Sequence, residues 1–283
     1  MARWTTGAAL LALALALPAA AAKDYYFPEV RVAIAVAADG SFTVEEFRTF
    51  EFEGEFHYAY VVIPLRLDQA GAGRRIRISD LQVADERGAS LPVEVEDDGE
   101  RLTARWDYSA RDERRTFRIR YRVSGAVTSY PDATELYWKA VGDGWERPAR
   151  NVVVTVTLPG PLPSKDDLRV WGHGPLAGWA EVVDARTARF SAPDLASNQF
   201  FEVRVVWPSG SVAGVSSERL SLEAIKAEEA AYVDDTIARV QAARAEREAR
   251  DGRTAARRRA FLKGAGVWGV WQVAGPILWL VVF

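Results

Sequence analysis

From Tyr25 to Trp207 apolar and polar residues alternate with a period of two, and this alternation constrains the fold more than any other feature of the chain. Successive side chains of a strand point to opposite faces, so one parity enters a core and the other meets water. In VRVAIAVAADGSFTVEEFRTFEFEG, Val30, Val32, Ile34 and Val36 share one parity. Asp39-Gly40 is a hairpin turn signal, and Phe42, Val44, Phe50 and Phe52 share a parity on the returning strand. Glu46 and Arg48 interrupt that second set. As neighbours on one face they are expected to pair with each other near a sheet edge.

About a dozen such runs follow one another with no helical interlude, separated by turn signals such as Arg87-Gly88, Asp98-Gly99 and Gly142-Asp143-Gly144. A parallel sheet built from strand-helix-strand units is therefore excluded. The expectation is a mainly β fold, an antiparallel β-sandwich over 23–208, either single or two small sandwiches in series with a seam near 125–131.

After Pro208 the composition turns to Ala, Glu and Arg, strong helix formers. Residues 209–263 are expected to form a charged helical stalk capped near Ser217, with a break at Gly252. Acids dominate from Glu218 to Asp235 and bases from Arg239 to Lys263, the order that suits a helix dipole. The stalk is expected to pack on the β-domain or pair with another copy, to lie on anionic headgroups, or to stand solvated.

Both ends are apolar. Arg3, the run Gly7–Leu17, Pro18 and the small residues Ala20-Ala21-Ala22 read as a signal peptide over 1–22. Val267–Phe283 carries no charge and would extend about 25 Å as a helix at ~1.5 Å per residue. With Trp268, Trp271 and Trp279 at hand, 264–283 is expected to be a transmembrane helix. Arg257, Arg258, Arg259 and Lys263 then flank its outer side, against the usual placement of bases at the cytoplasmic end. That conflict predicts a native chain that continues into a basic cytoplasmic segment.

Composition excludes several functions. The net charge of -3 with 27% charged residues lacks the basic excess of a nucleic-acid binder. With no cysteine and two histidines, His57 and His173, thiolate chemistry is absent and a His-rich zinc site is not expected. No phosphate-loop, dinucleotide or metal motif is present, so no cofactor is expected.

The segments YYFPEVRVAIAVAADGSFTVEEFRTFEFEGEFHYAYVVIPL, TFRIRYRVSGAV, ELYWKAVGDGWERPARNVVVTVTLP and FFEVRVVWP, in this order and spacing, resemble the YciQ-like predicted membrane proteins of bacteria. The resemblance implies an extracytoplasmic β-domain of unknown function behind a signal peptide, then a helical stretch, then membrane helices. It implies no catalytic residues.

Two surfaces are candidates for a ligand. Arg118, Arg120 and Arg122 share one face of RTFRIRYRV and could meet phosphates of lipid or wall polymer. The alternative is cross-strand pairing with carboxylates, such as Glu94 and Glu96 or Glu51 and Glu53. Tyr137, Trp138 and Trp145 gather with Glu135, Asp143 and Glu146, and aromatic platforms with carboxylates bind or hydrolyse sugars. The alternative is that Trp138 or Trp145 is buried at a hairpin tip. His173 lacks a nucleophile beside it and reads as a loop residue. The expected function is a membrane-anchored, non-enzymatic binding or assembly module at the bacterial inner membrane. Its partners would be the membrane, an envelope polymer or another membrane protein, not nucleic acid. The alternatives are a glycan-acting envelope enzyme and a scaffold for further membrane segments.

Overall fold

The computed structural model describes residues 23–67 and 73–278, with side chains described as far as 259. The signal peptide expected at 1–22 and the last five residues of the apolar run, 279–283, lie outside the described residues. The chain forms two units, one ending at Ser221 and one beginning at Leu222.

The first unit is a succession of strands. They are β1 (Asp24–Val36), β2 (Phe42–Glu53), β3 (Glu55–Pro64), β4 (Arg66–Leu67), β5 (Arg74–Arg75), β6 (Arg77–Ala84), β7 (Ser90–Leu91), β8 (Val93–Asp97) and β9 (Arg101–Arg111). There follow β10 (Arg114–Ser124), β11 (Thr128–Ser129), β12 (Ala133–Val141), β13 (Ala149–Thr157), β14 (Arg169–His173), β15 (Trp179–Asp184), β16 (Thr187–Leu195), β17 (Phe201–Pro208) and β18 (Val215–Ser216).

An eight-stranded sheet has the order β15-β16-β13-β1-β2-β10-β6-β7. A five-stranded sheet, β14-β17-β12-β11-β18, and a three-stranded sheet, β3-β9-β8, supply the opposing surfaces. Phe42 of the large sheet meets Trp138 of the five-stranded sheet edge-on at 5.1 Å. Phe117 of the large sheet meets Trp106 of the three-stranded sheet at 5.6 Å. One buried cluster runs through all three sheets.

The expected alternation is realised along the large sheet. Val30, Val32, Ile34 and Val36 are buried, as are Phe42, Val44, Phe50 and Phe52. Most neighbours are antiparallel, but β1 pairs in parallel with β13, with Val30 opposite Val152 and Ile34 opposite Val156. Strands from both sides of residues 125–131 thus share one sheet, so two sandwiches in series do not form. Hydrophobic pattern gives parity but not partner.

Glu46 and Arg48 do bond to each other. They do so in the interior of the large sheet, not at its edge: Glu46 lies between Val32 and Ile119, and Arg48 between Val30 and Phe117. Both are buried.

Gly40 shows why the turn needs glycine. Its φ is +76°, and a Cβ there would stand 1.9 Å from the Ala213 carbonyl oxygen. The Ala213 N–H donates to the Ala38 carbonyl at 2.9 Å, which holds the late segment 212–217 across the first hairpin. Val215 and Ser216 then pair with β11, and the Ser217 N–H donates to the Ser129 carbonyl.

That attachment explains where the second unit starts. The helix α1 runs from Leu222 to Leu278, not from Ser217, because residues up to Ser217 are tied into the sheet. It passes through Gly252 without the expected break, although an interior glycine costs about 1 kcal/mol against alanine. Arg239 and Asp235, at 2.6 Å, form an i,i+4 pair along it. Among the described residues no helix is long and apolar enough to cross a membrane.

Candidate functional site

The three arginines of β10 stand on the outward face of the large sheet, because Phe117, Ile119, Tyr121 and Val123 take the opposite parity into the core. Arg118 and Arg122 pair with carboxylates, though not with Glu51, Glu53, Glu94 or Glu96. The strands beside β10 are β2 and β6, so Arg118 reaches Glu45 at 3.8 Å and Arg122 reaches Asp39 at 2.7 Å. Glu51 pairs with Arg114 instead, and Glu94 with Arg105. Asp39 is held below the usual carboxylate range by the side-chain and backbone donors of Ser41, helped by the Arg122 guanidinium. Arg120 is exposed and has no ion pair among the described residues, although it stands opposite Glu45 in the register.

Small outward residues make this face concave. Ala33, Ala35 and Thr43 floor a shallow depression of about 400 Å³, bounded by Glu45, Gln82, Arg118 and Arg120. A second depression of about 460 Å³ shares Arg118 and is bounded by Arg31, Phe47, Thr116 and the turn Asp85–Gly88. The guanidinium of Arg31 lies 5.4 Å over the Phe47 ring. The surface offers cationic and amide donors above a methyl-lined floor, a chemistry suited to an anionic oxygen group on a slender chain. Sequence reasoning found the arginines but missed Ala33, Ala35, Thr43 and Gln82. The available signal was the run of alanines on the outward parity of β1, where side chains of ordinary size would fill the groove.

The aromatic candidates do not form one platform. Tyr137 and Trp138 are consecutive in β12, so they point to opposite faces. Trp138 is only 5% exposed and belongs to the core. Tyr137 donates to Glu202 at 3.0 Å, and its ring lies 5.5 Å from His173 and 5.3 Å from the Arg204 guanidinium. Trp145, from the loop after β12, covers the buried Arg48 guanidinium at 3.7 Å and meets Phe27 edge-on at 5.0 Å.

Two of the three carboxylates associated with them, Glu135 and Asp143, are engaged, while Glu146 is exposed. Glu135 is buried, accepts from Arg204 at 2.5 Å and accepts the Tyr130 hydroxyl at 2.7 Å. Burial and that carboxylate push the Tyr130 phenol well above its ordinary range. Asp143 pairs with Lys139 at 3.3 Å. A buried, doubly bonded carboxylate is poorly placed to protonate a glycosidic oxygen. Among the described residues no group of three or more His, Cys, Asp or Glu side chains is placed to hold a metal.

Residues 26–207 match the family described as "Predicted membrane protein (DUF2207) N-terminal domain", and the chain belongs to that family. It is the membrane-protein family that the sequence resemblance indicated. No curated protein matches the chain. Among solved structures, yeast leukotriene A4 hydrolase in complex with bestatin is similar over 64% of this chain and 28% of its own, with 10% identity and a TM-score of 0.39. An M1 zinc metallopeptidase from Deinococcus radiodurans is similar over 63% of this chain and 42% of its own, with 13% identity and a TM-score of 0.36. The chain spans less than half the length of either.

Proposed function

We propose that this chain is a membrane-anchored module of the bacterial cell envelope that works by binding rather than by catalysis. Its β unit lies outside the cytoplasm, carried there by the signal peptide of residues 1–22. The apolar run Val267–Phe283 is the anchor in the inner membrane. Membership of a family described as a predicted membrane protein supports the membrane association. The observation that carries the binding role is the concave outward face of the large sheet, where Arg118 and Arg120 stand over Ala33, Ala35 and Thr43. Its ligand is a phosphate-bearing headgroup or envelope polymer, recognised by charge-assisted hydrogen bonds from the guanidinium groups.

Co-sedimentation of the purified full chain with wall polymer, and binding of the soluble glycerol-phosphate headgroup, test this reading. Arg118→Ala with Arg120→Ala should abolish saturable binding while leaving the unfolding midpoint unchanged. Equal binding by parent and double variant would refute it. Topology is tested separately, by protease accessibility of the β unit in intact spheroplasts; protection of the β unit in these cells would overturn the extracytoplasmic placement. A second reading, a scaffold for further membrane segments, draws on the family description of this region as an N-terminal domain.

A further inference from the structure

Sheet edges expose unpaired backbone donors and acceptors, and proteins blunt them by shortness, charge or cover. Most edges of this unit are blunted in that way. β7 and β18 have two residues each. β8 has five and carries Glu94, Glu96 and Asp97. β14 has five, and β15 has six with Glu181 and Asp184 among them. The exception is β3, an edge of the three-stranded sheet with ten residues, which pairs only with β9 among the described residues.

Its central run, Tyr58-Ala59-Tyr60-Val61-Val62-Ile63, has no charge. Tyr58, Tyr60 and Val62 form an outward stripe and are 53%, 50% and 40% exposed. The run has high β propensity, low charge and no proline until Pro64. A long, uncharged, aromatic edge is a liability unless another strand covers it.

We propose that β3 is the site at which two copies of this chain join, antiparallel and across a two-fold axis, into a continuous six-stranded sheet. Three features select a second copy as the occupant. Antiparallel pairing of like strands keeps the outward face outward only if residues of equal parity oppose each other, and a centre at Tyr60 meets that condition. It sets Tyr58 of each copy beside Val62 of the other, an aromatic to β-branched pair, and Tyr60 beside its own equivalent. The ends are complementary in charge: Glu53 and Glu55 precede the run and Arg66 follows it. Although Glu55 reaches Arg111 at 2.6 Å and Arg66 reaches Glu100 at 3.2 Å within one copy, Glu53 has no ion pair among the described residues, so reversal of one copy brings acid toward base. Such a self-complementary patch gives a closed dimer, not a filament.

The chain has no cysteine, which makes the test direct. At the axis of an antiparallel pair the two Cα atoms lie about 4.5–5.5 Å apart. That is inside the disulfide range of about 4.4–6.8 Å. Tyr60→Cys in the full chain, oxidised in membranes before solubilisation, is expected to give a disulfide-linked dimer. Glu94→Cys, on the opposite edge of the same sheet, is expected to stay monomeric. Tyr58→Cys and Val62→Cys supply the register: co-expressed, they should link to each other. Tyr60→Lys opposes two like charges at the axis and should convert the detergent-purified chain from dimer to monomer by mass, with its far-UV circular dichroism unchanged. A native chain that remains monomeric across concentration would overturn the proposal. So would cross-linking of Tyr60→Cys no faster than the Glu94→Cys control, or its linkage to a different protein.

Discussion

Replacing Arg48 by methionine isolates the energetics of the buried pair in the large sheet. Arg48 and Glu46 side chains are 1% and 6% exposed, and they are the bonded pair at the centre of β2. The Arg48 guanidinium also stacks on Trp145 at 3.7 Å and lies 4.8 Å over Phe27, yet its Nη1 has no hydrogen-bond partner among the described residues. Arg48→Met leaves the Glu46 carboxylate buried and unpaired, a loss of about 3–5 kcal/mol. In a unit of this size 1 kcal/mol shifts Tm by about 2–4 °C, so Tm of the β unit should fall by roughly 10 °C. Adding Glu46→Leu removes the stranded charge as well. Because the pair itself is incompletely satisfied, the double variant should return to within about 1 kcal/mol of the parent or exceed it. Unfolding of the full chain in detergent, followed by tryptophan fluorescence in urea, measures all three. An Arg48→Met cost below about 1 kcal/mol, or a double variant as unstable as Arg48→Met alone, would contradict this account of the pair.

Two further outcomes follow from the same physics. Gly40→Ala forces a side chain into a left-handed backbone position and against the Ala213 carbonyl, so chemical denaturation should show a loss above about 1 kcal/mol, with no loss counting against the close approach. The Tyr121 phenol is buried, and desolvation raises its pKa above the ordinary 10 in the folded state. The unfolded chain therefore releases this proton first, so its contribution to stability is complete below pH 10 and declines as pH rises beyond it. Tyr121→Phe should flatten the fall of Tm between about pH 9.5 and 11, and an unchanged slope would refute the assignment.

The hairpin around Asp39-Gly40, the parity of Val30 to Val36 and the strand character of 24–208 were legible because they depend on near neighbours in the chain. Turn chemistry and a two-residue period act within about ten residues, and every strand reports them independently. The outward placement of Arg118, Arg120 and Arg122 was legible for the same reason, since their alternation with Phe117, Ile119, Tyr121 and Val123 leaves one arrangement with the apolar set inside.

Tertiary structure decided which strands become neighbours. Period two fixes a face but says nothing of partners, so the parallel meeting of β1 with β13 and the carboxylates that pair with Arg118 and Arg122 could not be read from the sequence. The same choice of neighbours moved Glu46 and Arg48 from an expected edge to the middle of the sheet, where Trp145 covers the arginine. It also left β3 unpaired on one side among the described residues. Each of these outcomes depends on contacts between residues far apart in the chain, and a free energy shared among distant partners leaves no periodic trace in any one of them.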